Sequence, residues 1–179
     1  MKSFMSLVAA LAVVTPVATH AACSSDGAAP PGSLHRGWIL VGWEKRAGDP
    51  PFSFESKLGR FYDFMSPDVL LYDDLSPGRR IATSAAAYGA MWTPPFSALR
   101  EAHHIVTAEP KTIVGKDLAT STLEFAARLT DADGGIAGVL DRSTLVWRCT
   151  DDQWRIVREH NSSRPLRSDE IGRLFTGRQ

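Results

Sequence analysis

Beyond Leu99 the apolar residues stop recurring every three or four positions and begin to alternate, and that change of period restricts the chain to few folds. Leu123, Phe125, Ala127 and Leu129 alternate with Thr122, Glu124, Ala126 and Arg128, the pattern of a strand with one face on a core. Residues 100–107, 111–114, 119–129, 136–149 and 153–160 all read as strands. Their connectors, among them Gly115-Lys116-Asp117, Asp131 to Gly135 and Thr150-Asp151-Asp152, are short turn sequences, so neighbouring strands run antiparallel.

Upstream the period is helical. Leu34, Trp38 and Val41 share one stripe of a first helix, which Gly48 and the following Asp49-Pro50-Pro51 stop. Ser53 caps a second helix whose apolar positions are Phe54, Leu58, Phe61 and Met65. Residues 69–73 form a short strand, and Thr83 or Ser84 caps a third helix that Pro94-Pro95 should end. Helices first and an antiparallel sheet afterwards is an α+β layout, with the helices on one face of the sheet.

The chain of 179 residues suits one domain with tails. Its 20 basic and 20 acidic side chains cancel, which leaves no field to attract polyphosphate and argues against a nucleic-acid partner. Lys2, the apolar run from Phe4 to Val17 and the small residues after it read as a signal peptide over residues 1–22, so export to the periplasm or outside the cell is expected. Residues 23–33 read as a flexible tether, 34–163 as the domain and 164–179, with four arginines, as a charged, exposed C-terminal extension. Cys23 has two readings: the lipid-bearing residue of a membrane-anchored lipoprotein, or the disulfide partner of Cys149 in an oxidising compartment.

Four segments resemble the SnoaL-like and DUF4440-type branch of the nuclear transport factor 2-like (NTF2-like) superfamily, which also contains ketosteroid isomerases. They are Ala47-Gly48-Asp49, the run Ser66-Pro67-Asp68-Val69-Leu70-Leu71-Tyr72, the strand Arg142-Ser143-Thr144-Leu145-Val146-Trp147, and the closing stretch from Trp154 through His160 to Ser162. The resemblance implies an NTF2-like cone, three N-terminal helices packed on a strongly curved, mainly antiparallel sheet. It also implies an apolar pocket at the open end and a homodimer formed through the sheet.

The same resemblance places a proton-shuttling carboxylate at Asp73, which otherwise starts a polar turn with Asp74. His160 would lie at the pocket mouth as a partner for Asp73 or a ligand, or else bond a turn. Isomerase chemistry further asks for a Tyr on the first helix and a protonated Asp on a late strand. Val41 stands near the first position and Asp141 near the second, where a shift of one residue changes the face. On the sequence that mechanism therefore lacks support. Tyr72, Trp92 and Trp147 are candidates to line the cavity, or plain core.

Of the neighbours His103 and His104 one at most can face a site, and His103 is the candidate taken; Arg142 would bind an anionic group or anchor Glu159 or Asp141 in a structural ion pair. No cofactor motif is present, and no three ligands cluster for a metal; Asp131-Ala132-Asp133-Gly134 lacks the closing Glu of a calcium loop. The expectation is an exported protein that binds a small, largely apolar molecule, as an isomerase or hydratase with an Asp base. The alternative is a non-catalytic dimerisation or protein-interaction module of the cell envelope.

Overall fold

In the computed structural model, which describes Cys23 and residues 29–176, the sheet has five strands. They are β1 (Leu70–Asp73), β2 (Glu101–Val114), β3 (Leu118–Thr130), β4 (Ile136–Thr150) and β5 (Gln153–Pro165). The spatial order is β1-β5-β4-β3-β2, with every neighbouring pair antiparallel except β1 beside β5. The two short strands expected on either side of Glu109-Pro110 are one strand, β2, whose register against β3 shifts twice between Val106 and Lys111. A proline cannot donate to the ladder, so the strand passes it with an irregularity that bends it. The expected signal peptide and residues 24–28 of the tether fall outside the described residues.

The concave face of this curved, unclosed sheet is covered by helices, an α+β arrangement. Helix α1 (Pro31–Gly37) starts inside the stretch expected as tether and continues as a π-helical turn, Trp38–Gly42, so it ends six residues before Gly48. Ser53 caps α2 (Phe54–Leu58), its Oγ accepting from the Ser56 amide at 3.3 Å. This helix is shorter than its apolar stripe suggests, because the chain after Gly59 turns to β5: the Ile156 amide donates to Phe61 O and the Asp63 amide to Ile156 O. Ser84 caps α3 (Ala85–Ala98), which passes through Pro94 and Pro95 instead of ending there. Proline fits helical φ, and the missing N–H groups of the pair deprive only the carbonyls of Ala90 and Met91, four residues back, of their helical donors. The Lys45 ammonium, nearly buried, caps that end by donating to the carbonyls of Phe96, Ser97 and Leu99.

Two long-range ties hold the first helix and its lead-in to the sheet. His35, fully buried, lies 2.8 Å from Ser121 Oγ on β3 and 3.0 Å from Ser143 Oγ on β4, and burial pushes its pKa down to about 3. Cys23 is disulfide-bonded to Cys149 on β4.

The segment expected as an exposed extension packs in part. Leu166 is buried and α4 (Ser168–Thr176) lies on the outer face of the sheet, where a Cβ added to Gly138 would sit 2.5 Å from Ile171 Cγ1 and 3.2 Å from Leu166 Cβ. Replacing Gly138 with Val should therefore unseat α4, at a cost of about 1–3 kcal/mol. Urea unfolding should show that loss, and trypsin should cut the variant at Arg173 faster than the parent; equal cutting rates would disprove the contact.

Candidate functional site

Strand periodicity decides which side chains reach the concave side. On β3 these are Leu123, Phe125, Ala127 and Leu129, on β4 Val139 and Asp141, and on β2 His104. All of these except Leu123, which is plain core, line a cavity of about 260 Å³ together with Trp38, Trp43, Trp92 and Phe96 from the helical layer. Trp43 anchors the aromatic wall, with edge-on rings of Trp38, Trp92 and Phe96 centred 6.2, 5.5 and 5.2 Å away. Two carboxyl groups open into this apolar space, those of Asp73 and Asp141.

Asp73 ends β1 with both oxygens engaged. Oδ1 accepts from the Leu75 amide at 2.8 Å and Oδ2 from Asn161 Nδ2 at 2.9 Å. Burial raises its pKa, although those two bonds pull the other way. Asp141, 1% exposed, has no hydrogen-bond partner for Oδ1. Burial, followed by the negative charges of Asp73, Asp74 and Glu159, pushes its pKa up to about 9, so it keeps its proton at neutral pH. One oxygen each from Asp73, Asp74 and Asp141 lies within 4.8 Å of the other two, the donor geometry a cation would need. Asp74 is held by Ser163, whose amide and hydroxyl donate at 2.8 and 2.6 Å.

Behind Asp73 lies a second buried acid. Glu159 accepts from Tyr62 and Tyr88 hydroxyls, both at 2.6 Å, and from Asn161 Nδ2 at 2.8 Å. Burial drives its pKa up to about 8 against the pull of the tyrosines. The tyrosines are themselves pushed well above the usual phenol range, by burial first and then by the acid.

A curved, unclosed sheet covered by helices is the architecture that the comparisons with known proteins return. The model of the SnoaL-like domain matches residues 55–166, more than half of the chain. The chain belongs to the SnoaL-like domain family. Among solved structures it is similar to an NTF2-like superfamily protein from Salmonella enterica, with a TM-score of 0.58 and 15% identity over 76% of this chain and 88% of that one. It is similar to the Kfla4162 protein from Kribbella flavida, with a TM-score of 0.54 and 18% identity over 79% and 92%. A type 2 hexachlorocyclohexane dehydrochlorinase, LinA, shares the fold at a TM-score of 0.51 and 16% identity over 75% and 85%. No curated protein matches the chain significantly.

Within this SnoaL-like domain the residues singled out from the sequence separate. Asp73 and Trp92 line the cavity. Tyr72 and His160 do not: they pair across β1 and β5 and their rings lie tilted to each other, centred 5.2 Å apart on the outer face, where His160 is exposed. Arg142 points outward between Asp141 and Ser143 and reaches Glu124 at 3.2 Å, in place of the Glu159 or Asp141 expected as its partner. His103 reaches Glu44 at 2.8 Å, whereas its neighbour His104 takes the cavity wall. Trp147 is core, six residues along β4 from Asp141, or roughly 20 Å, and it donates to Ser121 Oγ at 2.8 Å.

Asp141, His104, Glu159 and Asn161 are the polar groups that the sequence reading left out or weighed too lightly. For Asp141 the signal was present: Asp141, Ser143, Leu145 and Trp147 alternate on one face. A carboxyl group bound as the acid stabilises the fold fully below its ordinary pKa, and that contribution fades as the pH rises through the folded value. Stability should thus decline between about pH 4 and pH 9 on account of Asp141, from an ordinary value of 3.8 to a folded value of about 9. Asp141→Asn, which mimics the neutral acid, should flatten that decline in urea titrations; an unchanged slope would show that Asp141 is ionised in the fold.

Proposed function

We propose that this SnoaL-like protein binds a small, largely apolar carbonyl compound and transfers a proton on it, in an isomerisation or an elimination. The observation that carries the reading is the placement of Asp73 and Asp141 on the wall of one aromatic cavity, the first with hydrogen-bond donors on both oxygens and the second with an oxygen left without one. An ionised Asp73 accepts a proton from a carbon next to the carbonyl, and burial makes it a stronger base than a surface carboxylate. Asp141, carrying its proton, donates a hydrogen bond to the oxygen on which negative charge develops. No tyrosine helps it there, since Val41 points to solvent at 54% exposure and both interior tyrosines bond Glu159. Trp38, Trp43, Trp92 and Phe125 favour a ring-shaped substrate and keep water from the enolate.

A dehydrochlorinase among the structures sharing the fold supports the idea that such a cone accommodates proton abstraction, though activity follows from the site and not from the fold. The open cavity beside Trp92 and Phe96 favours ligand binding over a purely structural module, in which those rings would fill it. Export is part of the same proposal: a disulfide between Cys23 and Cys149 suits an oxidising compartment, and it uses the thiol that a lipid anchor would need. A homodimer on the outer face of the sheet would have to form beside α4.

The test is hydrogen exchange. Incubated in deuterated water with 1-tetralone, a small bicyclic ketone, the protein should speed deuterium uptake next to the carbonyl. Asp73→Asn should slow that uptake by about 100-fold or more, and Asp141→Ala by about 100-fold. The rate should rise with pH as Asp73 ionises and fall as Asp141 loses its proton near pH 9. Equal rates for the parent and Asp73→Asn would refute the proposal.

A further inference from the structure

Asn161 stands between two buried carboxyl groups. Its side-chain amide gives one hydrogen to Asp73 Oδ2 at 2.9 Å and the other to Glu159 Oε1 at 2.8 Å, which uses both. Beyond Glu159 the chain of bonds continues: Tyr88 and Tyr62 donate to the acid, and Trp38 Nε1 donates to the Tyr62 oxygen at 2.9 Å. The path leaves the cavity wall at Asp73 and returns to it at Trp38, and every residue on it is buried. The other titratable groups acting on Asp73 are Asp74, directly after its strand, Asp141 from β4 and, from the outer face of β5, His160. Among the described residues no Lys or Arg forms an ion pair with Asp73, Asp141 or Glu159.

We infer that Glu159 is a positioning residue for the base: through the Asn161 amide it fixes the Asp73 carboxyl at the cavity wall and, as a second carboxyl on that amide, confines the pair to one negative charge. Two carboxylates bridged by a single amide repel each other strongly in an interior that water does not screen. A proton on Asp73 is therefore held more tightly while Glu159 is ionised, and the two groups titrate as a unit. The tyrosines set the balance, because their hydroxyls favour the charged form of Glu159 and through it strengthen the base. This deepens the proton-transfer reading and rests on it for its purpose, but the coupling itself belongs to the free protein.

The full chain, labelled with ¹³C at its Asp and Glu carboxyl carbons, would be titrated by NMR from about pH 4 to 10. The Asp73 signal should move in two steps, one of them shared with Glu159. In Glu159→Gln the shared step should vanish and the Asp73 midpoint fall by about one pH unit. Asp141→Asn should leave the shared step in place, which separates Glu159 from the other carboxyl. Tyr88→Phe should raise the Glu159 midpoint while keeping the coupling, a result that a merely structural role would not produce. If Glu159→Gln does not fold, the curve of the parent protein decides alone. A single Asp73 step overturns the inference, as does a midpoint unmoved in Glu159→Gln. Failure of the proton-transfer reading looks different: the shared step persists while Asp73→Asn leaves ketone exchange untouched.

Discussion

Three carboxyl groups that form no ion pair with a Lys or Arg among the described residues share one interior, and much else in this domain answers to that constraint. An isolated buried carboxylate costs far more than a domain of this size can spare, so such groups protonate or gather hydrogen-bond donors. Asp73, Asp141 and Glu159 divide these solutions. Asp73 takes an amide and a side-chain donor, Glu159 takes two phenols and half of Asn161, and Asp141 keeps its proton. The donors to Glu159 come from Tyr62, just after α2, and from Tyr88 on α3. The helical layer is therefore an electrostatic partner of the sheet as well as its apolar cover.

The layout was legible in the sequence because it depends on period. Alternation beyond Leu99 carried the antiparallel sheet, and Ser53 and Ser84 marked helix starts that the structure keeps. The site was less legible, and one residue explains most of the gap. On β5 Trp154 and Ile156 face the core, so unbroken alternation would turn His160 inward and Glu159 outward. Opposite Val146 and Trp147 the strand instead pairs through Arg158 and Ile156, which leaves Val157 as an extra residue. A bulge of this kind reverses which side chains face inward downstream. It brings Glu159 and Asn161 to the interior and sends His160 to the surface beside Tyr72. Nothing in the local composition announces a bulge at Val157; its evidence is the register of the neighbouring strand.

The helices mislead for the opposite reason, since tertiary partners override local signals there. Pro94-Pro95 is a strong stop, yet α3 continues because the Lys45 ammonium takes the carbonyls at its end, next to a short bridge with Ala102. The stripe Phe54, Leu58, Phe61, Met65 promises a longer α2, but Phe61 reaches the core from the turn after the helix and Met65 is left in water. Choosing between His103 and His104 needed the register of β2, where Ala102 and His104 share the inner face.

The seat of α4 has a consequence for self-association. Gly138 lies on β4, the middle strand of the five, and Ile171 rests on it at a distance that tolerates no methyl group. A two-fold related copy approaching that face head-on would meet a helix where bare sheet would otherwise be. A symmetric pairing on this face would then shift to a margin of the sheet, such as that of β5 and β1 where the Tyr72 and His160 rings meet, or trade α4 between subunits. The terminal helix thus doubles as a steric filter on quaternary structure, and its removal would alter the assembly options before it altered the cavity.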